Sequence, residues 1–391
     1  MDGYAESGSA IEDVAMSRPL PTAVGGEGSQ FAASIEIAGR SVGPSHPVLV
    51  VAELSANHQQ DLSLALATID AAHTAGADAI KLQTYKPDTL TYPSDSEIFR
   101  VSTGGVWDGR TLYDLYSEAQ TPWEWHAELF QHARALGLLC FSSPFDPTAV
   151  DLLESLEAPA YKIASFEITD TPLIRKVAAT GKPVIISTGI ATLVEIEEAL
   201  AACISVGNRQ VIVLKCTSAY PARTDEANLL TMVDIRRRFG CVVGLSDHTI
   251  SHVASTAATA LGASFLEKHL ILERSSGGPD SGFSLEPDEF AMMVALVRET
   301  QSALGEVTYE LGTEATGSRS LARSLFVVKD VLVGDLITDV NVKSIRPSNG
   351  LQPKFLMEVV GRRFVQAVAA GTPLSWDLFE AALGDDHQRN R

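Results

Sequence analysis

The chain reads as a closed (β/α)8 barrel followed by a small β-rich domain, on three observations. Eight short, nearly continuous apolar runs recur between residues 48 and 269, and most lead into a stretch of helical periodicity. Apolar strands alternating with helices imply a parallel sheet covered on both faces. Each run ends in polar side chains with chemical capability, and in such barrels the chemistry sits at the carboxyl ends of the strands. Beyond residue 320 the style changes to short β-rich runs separated by turn pairs. A length of 391 residues suits a barrel of about 250 residues plus an appendage.

Residues 1–30 are acidic and rich in Gly, Ser and Ala, and are expected to be a disordered extension. SIEIAGRSVG (34–43) reads as a hairpin turning near Gly39 and Arg40, placed to cap the barrel floor. The barrel, expected over 31–305, takes its strands from VLVVAE (ending at Glu53), DAIKLQ, LLCFSS, AYKIAS, PVIIST, VIVLKCTS, CVVGLSDH and SFLEKH. The first helix lies within DLSLALATIDAAHTAGA, with Leu62, Leu66, Ile69 and Ala72 on one face and Gly76 at its close. Further helices are predicted at 123–137, 148–156, 172–180, 192–206, 226–239, 252–262 and 287–304. Residues 85–122 interrupt this pattern and carry Tyr85, Tyr92, Phe99, Trp107, Tyr113 and Tyr116, too many aromatics for a flexible linker. A lid and an interface element are the two roles open to it. Residues 306–320 read as a linker and 321–385 as a β-clip-like domain with one brief helix around 353–360.

Composition narrows the partners. A formal net charge of −19 argues against nucleic acid or an anionic membrane, both of which reward basic patches. An anionic substrate would have to be met by local cations. The four cysteines, Cys140, Cys203, Cys216 and Cys241, lack CxxC spacing and read as reduced core residues. No apolar run approaches the ~20 residues that span a bilayer, and the N-terminus lacks a signal-peptide pattern, so the expected location is cytoplasmic.

His248 and His269 close consecutive predicted strands, whose ends lie about 5 Å apart in a barrel, so both imidazoles can reach one metal. Two histidines with water and substrate oxygen suit Mn2+, Fe2+, Co2+ or Zn2+ better than Ca2+. Asp247 and Glu267 beside them are of the type that orients imidazole ligands. Lys81 and Lys162 sit in apolar strand contexts; with the hydroxyls of Ser143, Ser165, Ser187 and Ser246 they form the inventory of a phosphate-and-carboxylate cradle more than of a Schiff-base site. Glu53 reads either as a general acid/base or as the ion-pair partner of one of those lysines. SGGPDSGFSLEP offers a turn and Asp280 after the last strand, or an ordinary loop leading to a helix cap.

Taken together, AELSANH (52–58), GADAIKLQTY (76–85), FSSPFD (141–146), YKIASFE (161–167), STGIAT (187–192), KCTSAYP (215–221), GLSDHT (244–249), EKH (267–269) and SIRPSNGL (344–351) resemble the nonulosonic, or sialic, acid synthases over roughly residues 46–382. AELSANH in place of AEIGxNH, and Ser218 where sialic acid synthases carry Asn, resemble the family's pseudaminic branch. The resemblance implies a TIM barrel with a C-terminal antifreeze-like (SAF) domain. It also implies condensation of phosphoenolpyruvate with 2,4-diacetamido-2,4,6-trideoxy-L-altrose, releasing phosphate by C–O cleavage; an N-acetylmannosamine-type sugar is the alternative. The products of this branch decorate bacterial flagellins and surface polysaccharides.

Carried over residue by residue, the resemblance implies that Lys81, Ser143, Lys162, Ser165, Ser187, Tyr220 and Ser246 hold phosphoenolpyruvate, with Ser218 at a corresponding position. It implies His248 and His269 as ligands of a divalent metal, Mn2+ or Mg2+, and Glu53 as the acid/base residue. Gln83, Glu167 and Asp280 would meet the sugar or a metal-bound water, and Arg346 would act in trans within a domain-swapped homodimer.

Overall fold

A computed structural model describes residues 30–102 and 107–381. The extension expected over 1–30 lies outside the described residues except for Gln30, as do residues 103–106 and the last residues of the expected second domain, 382–385. The chain divides into two compact units, one through Gly305 and one from Glu306.

In the first unit, β1 (Ile35–Ile37) and β2 (Arg40–Val42) form an antiparallel hairpin. Its turn is at Ala38-Gly39, one residue earlier than predicted, because both take positive φ (47° and 83°), the combination of a type I′ turn. The apolar face of the hairpin (Ile35, Ile37, Val42) packs with Leu49, Val51, Phe141 and Phe265, plugging the interior at the amino ends of the strands.

Eight parallel strands close the barrel: β3 (Leu49–Glu53), β4 (Ala79–Thr84), β5 (Leu139–Pro144), β6 (Tyr161–Ile163), β7 (Val184–Ser187), β8 (Val211–Cys216), β9 (Val242–Asp247) and β10 (Phe265–His269), with β10 pairing β3. The two-residue repeat of a strand sorts their side chains. Val50, Ile80, Val184, Val213 and Leu266 point outward into the layer shared with the helices. Leu49, Val51, Ala79, Phe141, Ile185, Leu214 and Phe265 point inward. Gly244 is required inside this ring, since a Cβ there would lie 2.2 Å from the Phe265 carbonyl oxygen, a backbone atom that cannot retreat.

Helix starts follow local chemistry. Asp146 accepts from the Thr148 and Ala149 amides ahead of Pro147–Ser155, and Asp170 caps Thr171–Ala178. Thr192 and Glu195 form a capping box at Leu193–Ser205. Leu62–Thr74 buries Ile69 and Ala72 as its spacing predicts, with Leu62 and Leu66 partly buried. The helix predicted over 226–239 begins only at Leu230; Thr224–Glu226 is a 3-10 turn and Asn228 has φ +45°, which interrupts an α-helix.

In the second unit β11 (Ser324–Val327) pairs antiparallel with β12 (Val342–Ile345) around a core of Leu325, Val327, Ile337, Val359, Phe364 and Leu374. The brief helix appears as Pro353–Phe355 and Leu356–Val359. The stretch read as a linker, 306–320, contains a short helix, Thr313–Ser318, running into a 3-10 turn at Arg319–Leu321. Its side chains are exposed, which explains why no apolar periodicity announced it.

Candidate active site

Above the inner apolar layer the same inward alternation brings up charge. Glu53, Lys81, Ser143, Lys162, Ser187, Cys216, Ser246 and Glu267 follow their apolar predecessors two residues on, and all are buried. They form the floor of a cavity of about 790 Å3 at the carboxyl ends of the strands. Of the residues singled out from the sequence, Lys81, Gln83, Lys162, Ser165, Glu167, Ser187, Ser218, Tyr220, Ser246, His248, His269 and Asp280 line this one cavity. Glu53 and Ser143 touch Lys81 from the floor. Arg346 lies exposed in the second unit, just past β12.

The floor is a buried network of two lysines and two carboxylates. Lys81 Nζ is 2.7 Å from Glu53 Oε2 and 3.5 Å from Glu267 Oε1, and donates to Ser143 Oγ at 3.2 Å. Lys162 Nζ donates to both oxygens of Glu267 at 2.9 Å, and Ser246 Oγ donates to Glu267 Oε1 at 3.1 Å. Glu53 therefore sits in the ion pair that one of its two readings expects. It is the partner of Lys81, yet complete burial raises its pKa against the pull of that lysine. Glu267 is driven the other way: burial opposes ionisation, but Lys162 and then Lys81 outweigh it and hold the carboxyl low. The sequence offers Glu267 as a carboxylate that orients an imidazole, whereas its hydrogen bonds and ion pairs go to Lys162, Ser246 and Lys81. Its place two residues before His269, on the same inward face of an apolar strand, is the signal for its central role.

His248 and His269 face each other with ring centroids 5.3 Å apart. His248 Nδ1 lies 3.0 Å from the Thr217 carbonyl, which makes it the protonated nitrogen and leaves the ring lone pair on Nε2. His269 Nδ1 is buried without a hydrogen-bond partner and stands 4.0 Å from Asp280 Oδ2. Burial, then the neighbouring His248 and Lys81, push the His269 pKa well down, so the ring stays neutral and keeps a lone pair. No third His, Cys, Asp or Glu completes a preformed cluster among the described residues. Two converging imidazoles with an orphaned nitrogen and a carboxylate 4.0 Å away fit a divalent metal with open coordination positions.

Asp247 does not orient these histidines. It points to the opposite face of β9, where it pairs with Lys268 at 2.7 Å and accepts from Ser255 and the Thr249 amide. One step along a strand reverses the face, which separates Asp247 from His248 and Lys268 from His269.

The phosphate-binding candidates are poised as donors. Ser187 Oγ is buried with no partner, and Ser165 Oγ accepts from the Gly189 amide at 3.1 Å. A Cβ at Gly189 would fall 2.0 Å from Ser218 Oγ and 2.8 Å from Ser165 Oγ, so glycine keeps this wall open. In the same 3-10 turn as Ser165, Glu167 has one buried oxygen unpaired, and burial lifts its pKa to about 7. Cys216 packs 3.8 Å from His248 Nδ1; burial raises its pKa, but His248, Ser165 and Lys162 together outweigh that and bring the thiol to about 7.

The described residues of the aromatic segment 85–122 form a wall of this cavity, through Tyr85, Arg100, Trp107, Leu112, Leu115 and Tyr116. Trp107 Nε1 donates to the Pro279 carbonyl at 2.8 Å, and its ring packs on Tyr220 (5.2 Å). Tyr220 in turn stacks near His248 (4.6 Å) and Phe283 (4.9 Å). Trp107 and Phe283 were not site candidates in the sequence, because only the meeting of two distant loops gives them a role.

A family model described as the NeuB family matches residues 68–309, most of the barrel, and a SAF domain model matches 322–380. The chain belongs to the NeuB family. Among its NeuB-type relatives, a pseudaminic acid synthase of Helicobacter pylori is 48% identical over 86% of this chain and 99% of its own length. An N,N'-diacetyllegionaminic acid synthase of Campylobacter jejuni is 35% identical over 80% of this chain and 95% of its own. The solved structure of N-acetylneuraminic acid (sialic acid) synthetase from Leptospira borgpetersenii, in complex with citrate, superimposes with a TM-score of 0.66 at 28% identity. That match covers 74% of this chain and 95% of the other.

Proposed function

We propose that this enzyme condenses phosphoenolpyruvate, water and 2,4-diacetamido-2,4,6-trideoxy-L-altrose into pseudaminic acid and inorganic phosphate. The observation that carries the reading is the 48% identity to a pseudaminic acid synthase across nearly its whole length, against 35% for a legionaminic acid synthase. The cavity has the matching chemistry: two buried lysines with hydroxyl donors, and a pair of imidazoles with Asp280 4.0 Å from His269.

Lys81 and Lys162 bind the anionic phosphoenolpyruvate, with Ser143, Ser165, Ser187, Ser218, Tyr220 and Ser246 supplying hydroxyls around it. Charge-assisted bonds of this kind are about twice as strong as neutral ones. Gln83, Glu167 and Asp280 orient the sugar so that its aldehyde carbon faces C3 of phosphoenolpyruvate. A divalent metal, Mn2+ or Mg2+, held by His248 and His269, would polarise that aldehyde as a Lewis acid. Glu53, as the carboxylate paired with Lys81 and with a pKa that burial raises to about 7, receives the proton of the water that adds at C2, and phosphate then departs with C–O cleavage. The trans reading of Arg346, within a domain-swapped homodimer, and a cytoplasmic location complete the proposal.

The direct test is mass spectrometry of the product formed from phosphoenolpyruvate and the altrose-configured diacetamido sugar, beside a parallel reaction with N-acetylmannosamine. The expected result is turnover of the first sugar with equimolar phosphate. Turnover confined to N-acetylmannosamine would replace this reading with neuraminate synthesis.

A further inference from the structure

Six non-glycine residues among those described have left-handed backbone, Ala38, Ser55, Gln59, Gln60, Glu157 and Asn228, and only Ser55 is buried. Its φ is +47°, a conformation that a Cβ disfavours and glycine takes freely. A strained residue persists where its surroundings require it, and such residues cluster at functional sites. Ser55 is the second residue past β3, is 2% exposed, and lines the cavity.

The hydroxyl explains what the strain secures. It donates to Asp280 Oδ2 in a short hydrogen bond, and Gln83 Nε2 lies 2.8 Å from the same hydroxyl. Asp280 Oδ2 also receives the Ala56 amide at 3.3 Å, so this oxygen is an acceptor and the single Ser55 proton goes to it. The hydroxyl lone pair is then what Gln83 meets, and only the amide N–H can donate there. The direction of every bond in the chain Gln83, Ser55, Asp280 is fixed, and Gln83 Oε1 is left as an acceptor on a residue that lines the cavity. The same chain holds Asp280 4.0 Å from His269 Nδ1.

We infer that Ser55 is a positioning residue for sugar recognition, whose hydroxyl sets Gln83 and Asp280 as a pair of acceptors for N–H or O–H groups of the sugar. This inference rests on the reading of the cavity as a sugar-condensing site and adds the residue that fixes its hydrogen-bond polarity.

Ser55→Gly and Ser55→Ala separate the two parts of the argument, since both remove the hydroxyl and only alanine keeps the strain. Ser55→Gly is expected to melt above Ser55→Ala, the reverse of the order in ordinary secondary structure. In both variants the KM for the sugar should rise about tenfold, the loss of a well-made polar contact, while the KM for phosphoenolpyruvate stays within about twofold. An unchanged sugar KM, or an equal rise in both KM values, overturns the positioning role; Ser55→Ala melting above Ser55→Gly overturns the strain. The sugar used is whichever the wild-type enzyme turns over, so failure of the altrose assignment is read from the wild type alone and is distinct from failure of the Ser55 inference.

Discussion

Glu53 and Glu267 share one counterion, Lys81, at 2.7 and 3.5 Å, yet their protonation is driven in opposite directions. The difference lies in the second lysine. Lys162 gives both of its short contacts to Glu267 and reaches Glu53 only through space, so burial wins at Glu53 and the cations win at Glu267. Two carboxylates separated in this way divide the work of a site into a proton-holding group and a fixed anion. Glu267 keeps two buried ammonium groups from facing each other unscreened.

Glu267→Gln is therefore expected to destabilise the fold by about 3–5 kcal/mol, the cost of stranding buried charge, as measured by urea denaturation. Glu53→Gln should change stability little and lower kcat by about 10^2-fold or more, the usual contribution of a positioned acid/base group. Comparable stability losses in the two variants would remove the division of roles.

The floor of this site was legible in the sequence because parallel strands obey a two-residue alternation. Lys81 with Gln83, and Glu267 with His269, are spaced by two and fall on the inward face, whereas Asp247 and Lys268 fall on the other. What escaped was set by contacts between loops distant in sequence. The bond from Trp107 to the Pro279 carbonyl and the left-handed backbone of Ser55 leave no local pattern, since neither residue type signals its conformation. The helix Thr313–Ser318 escaped because it presents no apolar face.

Lys81→Ala and Lys162→Ala should each raise the KM for phosphoenolpyruvate by about ten- to a hundredfold, the equivalent of roughly 1.5–3 kcal/mol for a charge-assisted contact. The sugar KM should move far less. Steady-state kinetics with each substrate varied in turn checks this, and an unchanged phosphoenolpyruvate KM in both variants reassigns the lysines to the fold.

Glu167 gives a pH signature. Burial raises its pKa to about 7 from an ordinary 4.5, so the stability tied to its protonated form is fully present below about pH 4.5 and is lost as pH rises through about 7. Glu167→Gln should match the wild type at pH 4.5 and exceed it at pH 8 by up to about 3 kcal/mol. Denaturation midpoints across that range decide it; a constant offset between the two proteins would mean that the carboxyl titrates normally.

Chelation should abolish turnover, and Mn2+ should restore it. The test independent of activity is Mn2+ binding followed by electron paramagnetic resonance, which His248→Ala and His269→Ala should each weaken severely. Undiminished Mn2+ binding in both variants would remove the two-histidine site.

Arg346 supplies the last prediction. The second unit buries an apolar core of its own, and Arg346 stands exposed beyond β12 in a stretch bounded by Pro347 and Gly350. A rigid turn of that kind presents a side chain outward, and a guanidinium suits a carboxylate or the oxygen of an acetamido group. If the site is shared between subunits, Arg346→Ala and Glu53→Ala proteins are each inactive alone, because every site lacks one of the two groups. In a mixed dimer one site then holds both native residues and the other holds neither, so co-refolding equal amounts should return about a quarter of the wild-type activity. That fraction follows from half of the dimers being mixed, each with one intact site. If Arg346 serves its own barrel, no pairing restores an intact site and the mixture stays as inactive as its parents.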